Sequence, residues 1–288
     1  MRLFFNLARG AYKATPIPAL RKLYYNLFSY MVRDRHTIAT LDGMTFELYL
    51  GEVIDLGVYL QHFEHEVVLA IEELCQPGMT VFDIGANIGA HTLRFAKTVG
   101  PAGKVFAFEP TEYAYGKLVR NLSLNSFQNT TVFQIALADL SIKQQMINFR
   151  SSWRTDRKKI EMKNLVDFER LDDWCQKHSV EKVDLIKTDV DGNEFPILEG
   201  GKKIIERCHP VFLMEVVGPH FEDDNKNPFL LLKNLKYRFW DLKSNYEYTN
   251  LNEMKNIFPP KDFAMTFSIN IVASVTDPFR NRRPEEQK

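Results

Sequence analysis

Apolar and polar positions along this 288-residue chain follow two rhythms, and the points where one gives way to the other outline its elements. After Thr15-Pro16, a helix-start signal, Leu20, Leu23, Tyr24, Leu27, Tyr30 and Met31 recur at helical spacing. Residues 36–41 and 44–50 flank Asp42-Gly43, the two-residue signal of a hairpin. Residues 62–74 read as a helix closed by Gln76-Pro77-Gly78. Short apolar runs then take turns with helix-period segments: strands at 81–84, 105–109, 131–136, 183–188 and 211–216, helices at 90–99, 112–125, 195–206 and 228–235. Such alternation predicts an α/β fold built on a parallel sheet with right-handed crossovers. Residues 138–174 interrupt it: a strand at 142–149, a polar loop at 151–159 and an extended piece at 160–170 form an insertion, expected to contribute to a substrate lid. Residues 237–242 and 267–274 read as closing strands. The organisation predicted is an N-terminal helical segment and hairpin (1–60), a main domain (61–276) and a charged tail (277–288).

Composition narrows the class. With 45% hydrophobic and 26% charged residues the chain is an ordinary globular one, and its formal net charge of zero argues against a nucleic-acid groove. Cys75, Cys175 and Cys208 make neither a metal-ligand spacing nor a disulfide framework, which fits a reducing cytoplasm. Asn121 and Asn129 occupy sequons read as accidental, since residues 3–8 are too short for a secretory core. The first 35 residues are nonetheless basic: Arg2, Arg9, Lys13, Arg21, Lys22, Arg33 and Arg35 against Asp34 alone. Their helix either packs on the domain or a sister subunit, or lies on an anionic membrane surface.

The chemistry is concentrated in two places. Val81-Phe82-Asp83-Ile84-Gly85-Ala86-Asn87-Ile88-Gly89 carries a strand into a small-residue turn and a helix, and Glu109 ends the next strand. Small residues let backbone approach a ligand, and an acid after the second strand accepts ribose hydroxyls, so Asp83, Gly85, Ala86, Asn87, Gly89 and Glu109 are candidate contacts for an adenosine cofactor. The Gly-x-Gly-x-x-Gly spacing of dinucleotide sites is absent, and Asp83 would repel a pyrophosphate. It suits an α-ammonium and a sulfonium, which points to S-adenosylmethionine. The plainer alternative is a strand–turn–helix whose glycines serve only the turn.

The second place is Ile186-Lys187-Thr188-Asp189-Val190-Asp191-Gly192-Asn193-Glu194, three carboxylates and a lysine at the end of a core strand, where open α/β sheets bind ligands. Asp189, then Glu194, are candidates to orient or deprotonate a substrate hydroxyl, and Lys187 to anchor an acidic group or pair with Asp189. Alternatively Asp189 caps a turn and Glu194 is a helix first-turn acid. An Asp189-x-Asp191 metal pair of a glycosyltransferase would leave residues 81–92 unexplained. A magnesium site from Asp189, Asp191 and Glu215 is the remaining metal reading; no metal is expected. His62, His65, Glu66 and His91 are read as pocket-mouth or packing residues.

These segments, together with Phe108-Glu109-Pro110, the run from Leu118 to Asn125, Leu171-Asp172-Asp173 and Leu198-Glu199-Gly200, resemble the FkbM family of S-adenosylmethionine-dependent methyltransferases. Asp191 stands where that family usually has Glu, and Thr111-Glu112 where Asn-Pro is common. The resemblance implies a class I methyltransferase (Rossmann-like) fold with a seven-stranded sheet whose last strand is antiparallel. It also implies methylation of a hydroxyl on a sugar, glycan or secondary metabolite, with Asp139 near the adenine. A regulator that kept the pocket but lost the chemistry, and N-methylation, are the competing functions.

Overall fold

The computed structural model describes residues 18–153, 155, 159–258 and 267–280. Helix α1 (Pro18–Val32) leads into a hairpin of β1 (His36–Leu41) and β2 (Met44–Tyr49), then α2 (Val53–Leu60) and α3 (His65–Leu74). Asp42 and Gly43 both take positive φ, 50° and 78°, as a tight primed turn requires. Helix α2 was not evident in the sequence, because Val53 to Leu60 shows no helical alternation of apolar and polar residues. Its burial beneath the hairpin explains that uniformity.

The parallel core comprises β3 (Thr80–Ile84), β4 (Lys104–Phe108), β5 (Thr130–Phe133), β9 (Leu185–Thr188) and β10 (Val211–Val217), with α4 (Ala90–Val99) and α5 (Glu112–Ser123) as crossovers. Successive strand residues point to opposite faces, and both faces are covered. Val81, Val105, Leu185 and Leu213 meet Val67, Ile71, Phe95 and Val99 of α3 and α4 on one side. Phe82, Ile84, Phe108, Ile186 and Phe212 pack on the other with Trp174, Leu198 and Ile205, which lie on α6 (Leu171–Lys177), α7 (Glu194–Gly200) and α8 (Lys202–Cys208). The single helix expected at 195–206 is two, divided at Gly201.

After α9 (Pro228–Asn234), β11 (Arg238–Asp241), β12 (Glu247–Tyr248), α10 (Leu251–Lys255) and β13 (Ser268–Ser274) complete the sheet. Its order is β12-β11-β13-β10-β9-β3-β4-β5, with β13 antiparallel to both neighbours. This is the class I methyltransferase architecture. Eight strands are present among the described residues rather than seven, because the two-residue β12 adds to the edge.

Two further corrections concern the insertion. The strand expected at 131–136 stops at Phe133, and β6 (Ala136–Ala138) leaves to join β7 (Ile142–Trp153) and β8 (Lys159–Arg170) in a separate three-stranded sheet. Of the polar loop expected at 151–159, residues 151–153 and 159 belong to β7 and β8; Arg154, Arg157 and Lys158 lie outside the described residues. Of the predicted tail, 281–288 also lie outside them, whereas Phe279 is buried in the core cluster around α3 and α4.

The N-terminal elements pack on the main domain. Phe28 and Val32 of α1 join hairpin residues and α2 in a cluster that includes Ile88 and Leu93. Lys117 of α5 reaches back to Glu52 at 2.9 Å and Asp55 at 2.6 Å. Asn121, one of the two sequon residues, is fully buried and accepts from the Glu47 amide at 2.8 Å while donating to the Ile88 carbonyl, so its side chain is structural.

Candidate active site

The carboxyl ends of β3, β4 and β9 converge at the point where the sheet order reverses direction, since β4 and β9 flank β3 on opposite sides. There the backbone turns outward, leaving a crevice. Its centre is Gly85, at φ +80°: a methyl group on it would stand 2.0 Å from the Asp189 carbonyl oxygen. The turn after β3 and the start of the acidic segment after β9 are thus packed backbone to backbone, with the Asp189 amide donating to the Ile84 carbonyl at 3.1 Å. Gly85→Ala is expected to destabilise the fold by about 3 kcal/mol or more, through steric overlap plus the strain of positive φ, as thermal denaturation would register.

Beside this turn lies a cavity of about 420 Å³, lined by Gly85, Asn87, Glu109, Asp139, Asp189 and Asp191 among others. Glu109 is buried. Its Oε1 accepts from the Thr111 amide at 2.9 Å and hydroxyl at 2.5 Å, and its Oε2 from the Asn87 amide at 2.9 Å. Oε2 therefore keeps an acceptor direction for a ligand hydroxyl. Burial pushes this carboxyl above its ordinary range, against the pull of the Thr111 and Asn87 bonds. Ile135, Leu137, Ile147 and Phe168 supply apolar wall, so β7 and β8 of the insertion enclose the cavity that Glu109 faces.

The other predicted contacts are divided. Ala86 and Gly89 are not among the described lining residues. The Ala86 amide donates to the Phe108 carbonyl, and Gly89 admits Leu118, whose methyl would be 2.5 Å from an added Cβ. Asp83 is fully buried beneath the turn: Oδ2 accepts from the Thr92 hydroxyl at 2.6 Å, while Oδ1 has no hydrogen bond and stands 4.0 Å from the Lys187 ammonium.

Lys187 binds the two halves of the site together. Its side chain is almost wholly buried and donates to Asp189 Oδ2 at 3.2 Å. Burial alone would lower this ammonium, but the carboxylates of Asp189, Asp83 and Glu64 outweigh it and hold the group above its usual value. It is an internal counter-ion, out of reach of an acceptor. Glu64 completes the cluster. Burial pushes it up, yet its 2.6 Å bond to His91 and the nearby Lys187 bring it below the ordinary carboxylate range. His91 thus turns to Glu64, with Nδ1 unpartnered.

Glu194, the second candidate base, does not reach the cavity lining. Fully buried, it accepts from the Val190 amide at 3.2 Å and pairs with His220 Nε2 at 2.5 Å. His220 in turn accepts from the Val217 amide through Nδ1, so the pair fastens the acidic segment to β10. Asp191 sits exposed at the tip of that segment with φ 52°, a left-handed conformation that Asp adopts more readily than Glu; this accounts for the shorter carboxylate here.

Sequence reasoning gave Glu215 only a metal-ligand role. It extends from β10, which pairs with β9 on one side and with β13, the strand of Ser268, on the other. Burial, then the Asp189 charge, push its carboxyl to about 8, with the Ser268 bond pulling the other way. Among the described residues no group of three metal-type ligands converges. Because unfolding returns Glu215 to its ordinary value of 4.5, the stability it confers is whole below that pH and is lost as pH rises through about 8. The decline is at most about 1.4 kcal/mol per pH unit, and Glu215→Gln should flatten it in a series of melting curves across pH.

A family model described as the Methyltransferase FkbM domain matches residues 83–239, more than half of the chain. The chain belongs to the FkbM methyltransferase family. The methyl donor of FkbM methyltransferases is S-adenosylmethionine. Two named relatives are similar to it. The 2-O-methyltransferase NoeI of Sinorhizobium fredii is 26% identical over 170 residues, covering 51% of this chain and 67% of NoeI. The methyltransferase sdnD of Sordaria araneosa is 27% identical over 154 residues, 42% of this chain and 59% of sdnD, so the match spans less than two thirds of that protein. Among solved structures, an FkbM methyltransferase from Methylobacillus flagellatus KT is 16% identical, covering 75% of this chain and 52% of that one at a TM-score of 0.41. Aeropyrum pernix fibrillarin with bound S-adenosyl-L-methionine is 11% identical over 83% and 82%, at 0.44.

The crevice fits the family's donor. A buried carboxylate with acceptor capacity left and apolar walls suit a ribose diol and an adenine. Asp83 is not among the described lining residues of this cavity, and the cation that faces its Oδ1 is the buried Lys187 ammonium at 4.0 Å.

Proposed function

We propose that this FkbM methyltransferase methylates a hydroxyl oxygen of a sugar, glycan or hydroxylated secondary metabolite, with Asp189 orienting or deprotonating the acceptor. The reading rests on Asp189. It lines the cavity, is partly accessible, and is held from one side by Lys187 and from the other by Glu215. When bound, S-adenosylmethionine supplies a methyl group on a sulfonium, a good leaving group. The chain's task is then alignment and proton handling. Glu109, Gly85 and Asn87 would hold the nucleoside end, and Asp139 lines the same cavity. Asp83 and Lys187 set the charge beneath the turn. Asp189 would take the acceptor hydroxyl's proton as its oxygen gains the methyl group and the sulfur–methyl bond of the donor breaks, the donor leaving as the neutral thioether; Glu215, raised by burial and by the Asp189 charge, stands beside it. Glu194 and His220 position the segment without touching the acceptor.

The 2-O-methyltransferase name of NoeI supports oxygen as the acceptor atom, and sdnD supports a methyltransferase role in this lineage. The test is incubation with methyl-labelled S-adenosylmethionine and separate sets of oligosaccharides, hydroxylated metabolites and amines. The expected result is label in an O-methyl ether. Label confined to amine products overturns the oxygen assignment, and no transfer to any set, despite donor binding, overturns the enzymatic one.

A further inference from the structure

We propose that α1 lays this protein on an anionic membrane surface through the face formed by Leu23, Leu27, Tyr30 and Met31. A helix on a globular domain ordinarily carries one apolar stripe, turned inward. Helix α1 carries two. Phe28 and Val32 are buried against the hairpin and α2, with Tyr24 and Tyr25 packed beside them. On the outer face Leu23 is 65% exposed, Leu27 59%, Tyr30 67% and Met31 50%. Their spacing puts all four on one side of the helix over two turns. Single exposed apolar residues need no explanation, but a contiguous stripe of large ones marks a surface that is covered in use.

Charge identifies what covers it. Lys22, Arg33 and Arg35 are exposed at the two ends of the stripe, and Arg33 lies over the Tyr30 ring at 4.7 Å. The first 35 residues hold seven basic side chains and one acidic one, while the whole chain is neutral, so the remainder carries a matching negative excess. Among the described side chains of this segment Lys22, Arg33 and Arg35 stand against Asp34 alone, so an anionic leaflet attracts this end of the helix surface. Apolar side chains flanked by Lys and Arg, with a tyrosine beside a guanidinium, match the acyl boundary and the headgroup layer in turn. A second copy of the chain fits the same face poorly, since a two-fold contact would oppose the same basic residues to one another. No helix among the described residues is long and apolar enough to cross a membrane, so the contact is one of lying on the surface.

Vesicle flotation with the full chain tests this, using phosphatidylcholine vesicles with and without phosphatidylserine. The expected result is flotation with the serine lipid, weakened about tenfold or more by high salt and by its omission. The double variant Leu23→Glu/Leu27→Glu should lower binding by about tenfold or more while leaving the melting temperature unchanged, since both positions are solvent-facing. Leu27→Trp gives a second readout: its emission should shift to the blue on adding the anionic vesicles. Absence of flotation, equal binding by the double variant, or an unshifted tryptophan overturns the proposal. So does concentration-dependent self-association abolished by the double variant without vesicle binding, which makes a second copy the occupant.

Discussion

Glu109→Ala is expected to weaken S-adenosylmethionine binding by about 100-fold or more. The substitution removes a buried carboxylate whose Oε2 faces the cavity with an acceptor direction to spare. A hydrogen bond to a charged acceptor contributes about 1.5–3 kcal/mol, and the truncation also leaves the Asn87 amide, at the rim of the same cavity, without its partner. Together these exceed the roughly 2.8 kcal/mol that separate a hundredfold change in affinity. Glu109→Gln, which keeps volume and one carbonyl acceptor, should lose about tenfold. Titration calorimetry with the donor on both variants, each checked for an unchanged melting temperature, decides the matter. Wild-type affinity in a folded Glu109→Ala protein would remove the donor from this cavity.

Asp189→Asn should lower kcat by about 10²–10⁴ while leaving donor affinity within about twofold, because the change spares the Glu109 side of the cavity and removes a proton acceptor. Asn keeps the volume and can still take the Lys187 hydrogen bond, so the loss reports chemistry rather than packing. The pH profile carries independent information. Below about pH 8 Glu215 keeps its proton; above it, a second negative charge stands beside Asp189, in the part of the site that the acceptor proton enters. Turnover should therefore rise through about pH 8 in the wild type and lose that inflection in Glu215→Gln. Full turnover by Asp189→Asn, with an unchanged pH profile, would exclude this carboxylate from the proton transfer.

The two halves of the site differed in how well they could be read in advance. Asp83, Gly85, Asn87 and Glu109 belong to one strand–turn–helix and the strand after it, so local spacing carries the signal. The acidic run from Lys187 to Glu194 was equally visible as composition, yet its roles were not. Asp189 faces the cavity whereas Glu194, five residues on, is turned inward to His220. Helical wind and a partner 26 residues away decide that, and neither is written in the run itself. Glu215 was legible only as a possible metal ligand, one polar residue in an apolar strand. Its elevated proton affinity arises because β10 pairs with β9 and delivers it to Asp189. The same holds for β6, whose residues read as a continuation of β5 until the insertion offers a second sheet to join.

What the chain's own order of residues determined was the succession of core strands and crossovers, the small-residue turn with its acid, and the basic, apolar character of the N-terminal helix, all products of spacing within a few residues. Tertiary structure alone decided which face of α1 is left uncovered, that Lys187 is a sealed counter-ion between Asp83 and Asp189, and that the Asp189 charge helps to raise the Glu215 carboxyl. The reason is physical. Local geometry sets where a side chain points along its own element, but burial and the charges across from it are properties of whatever element packs opposite, and those come from distant parts of the sequence.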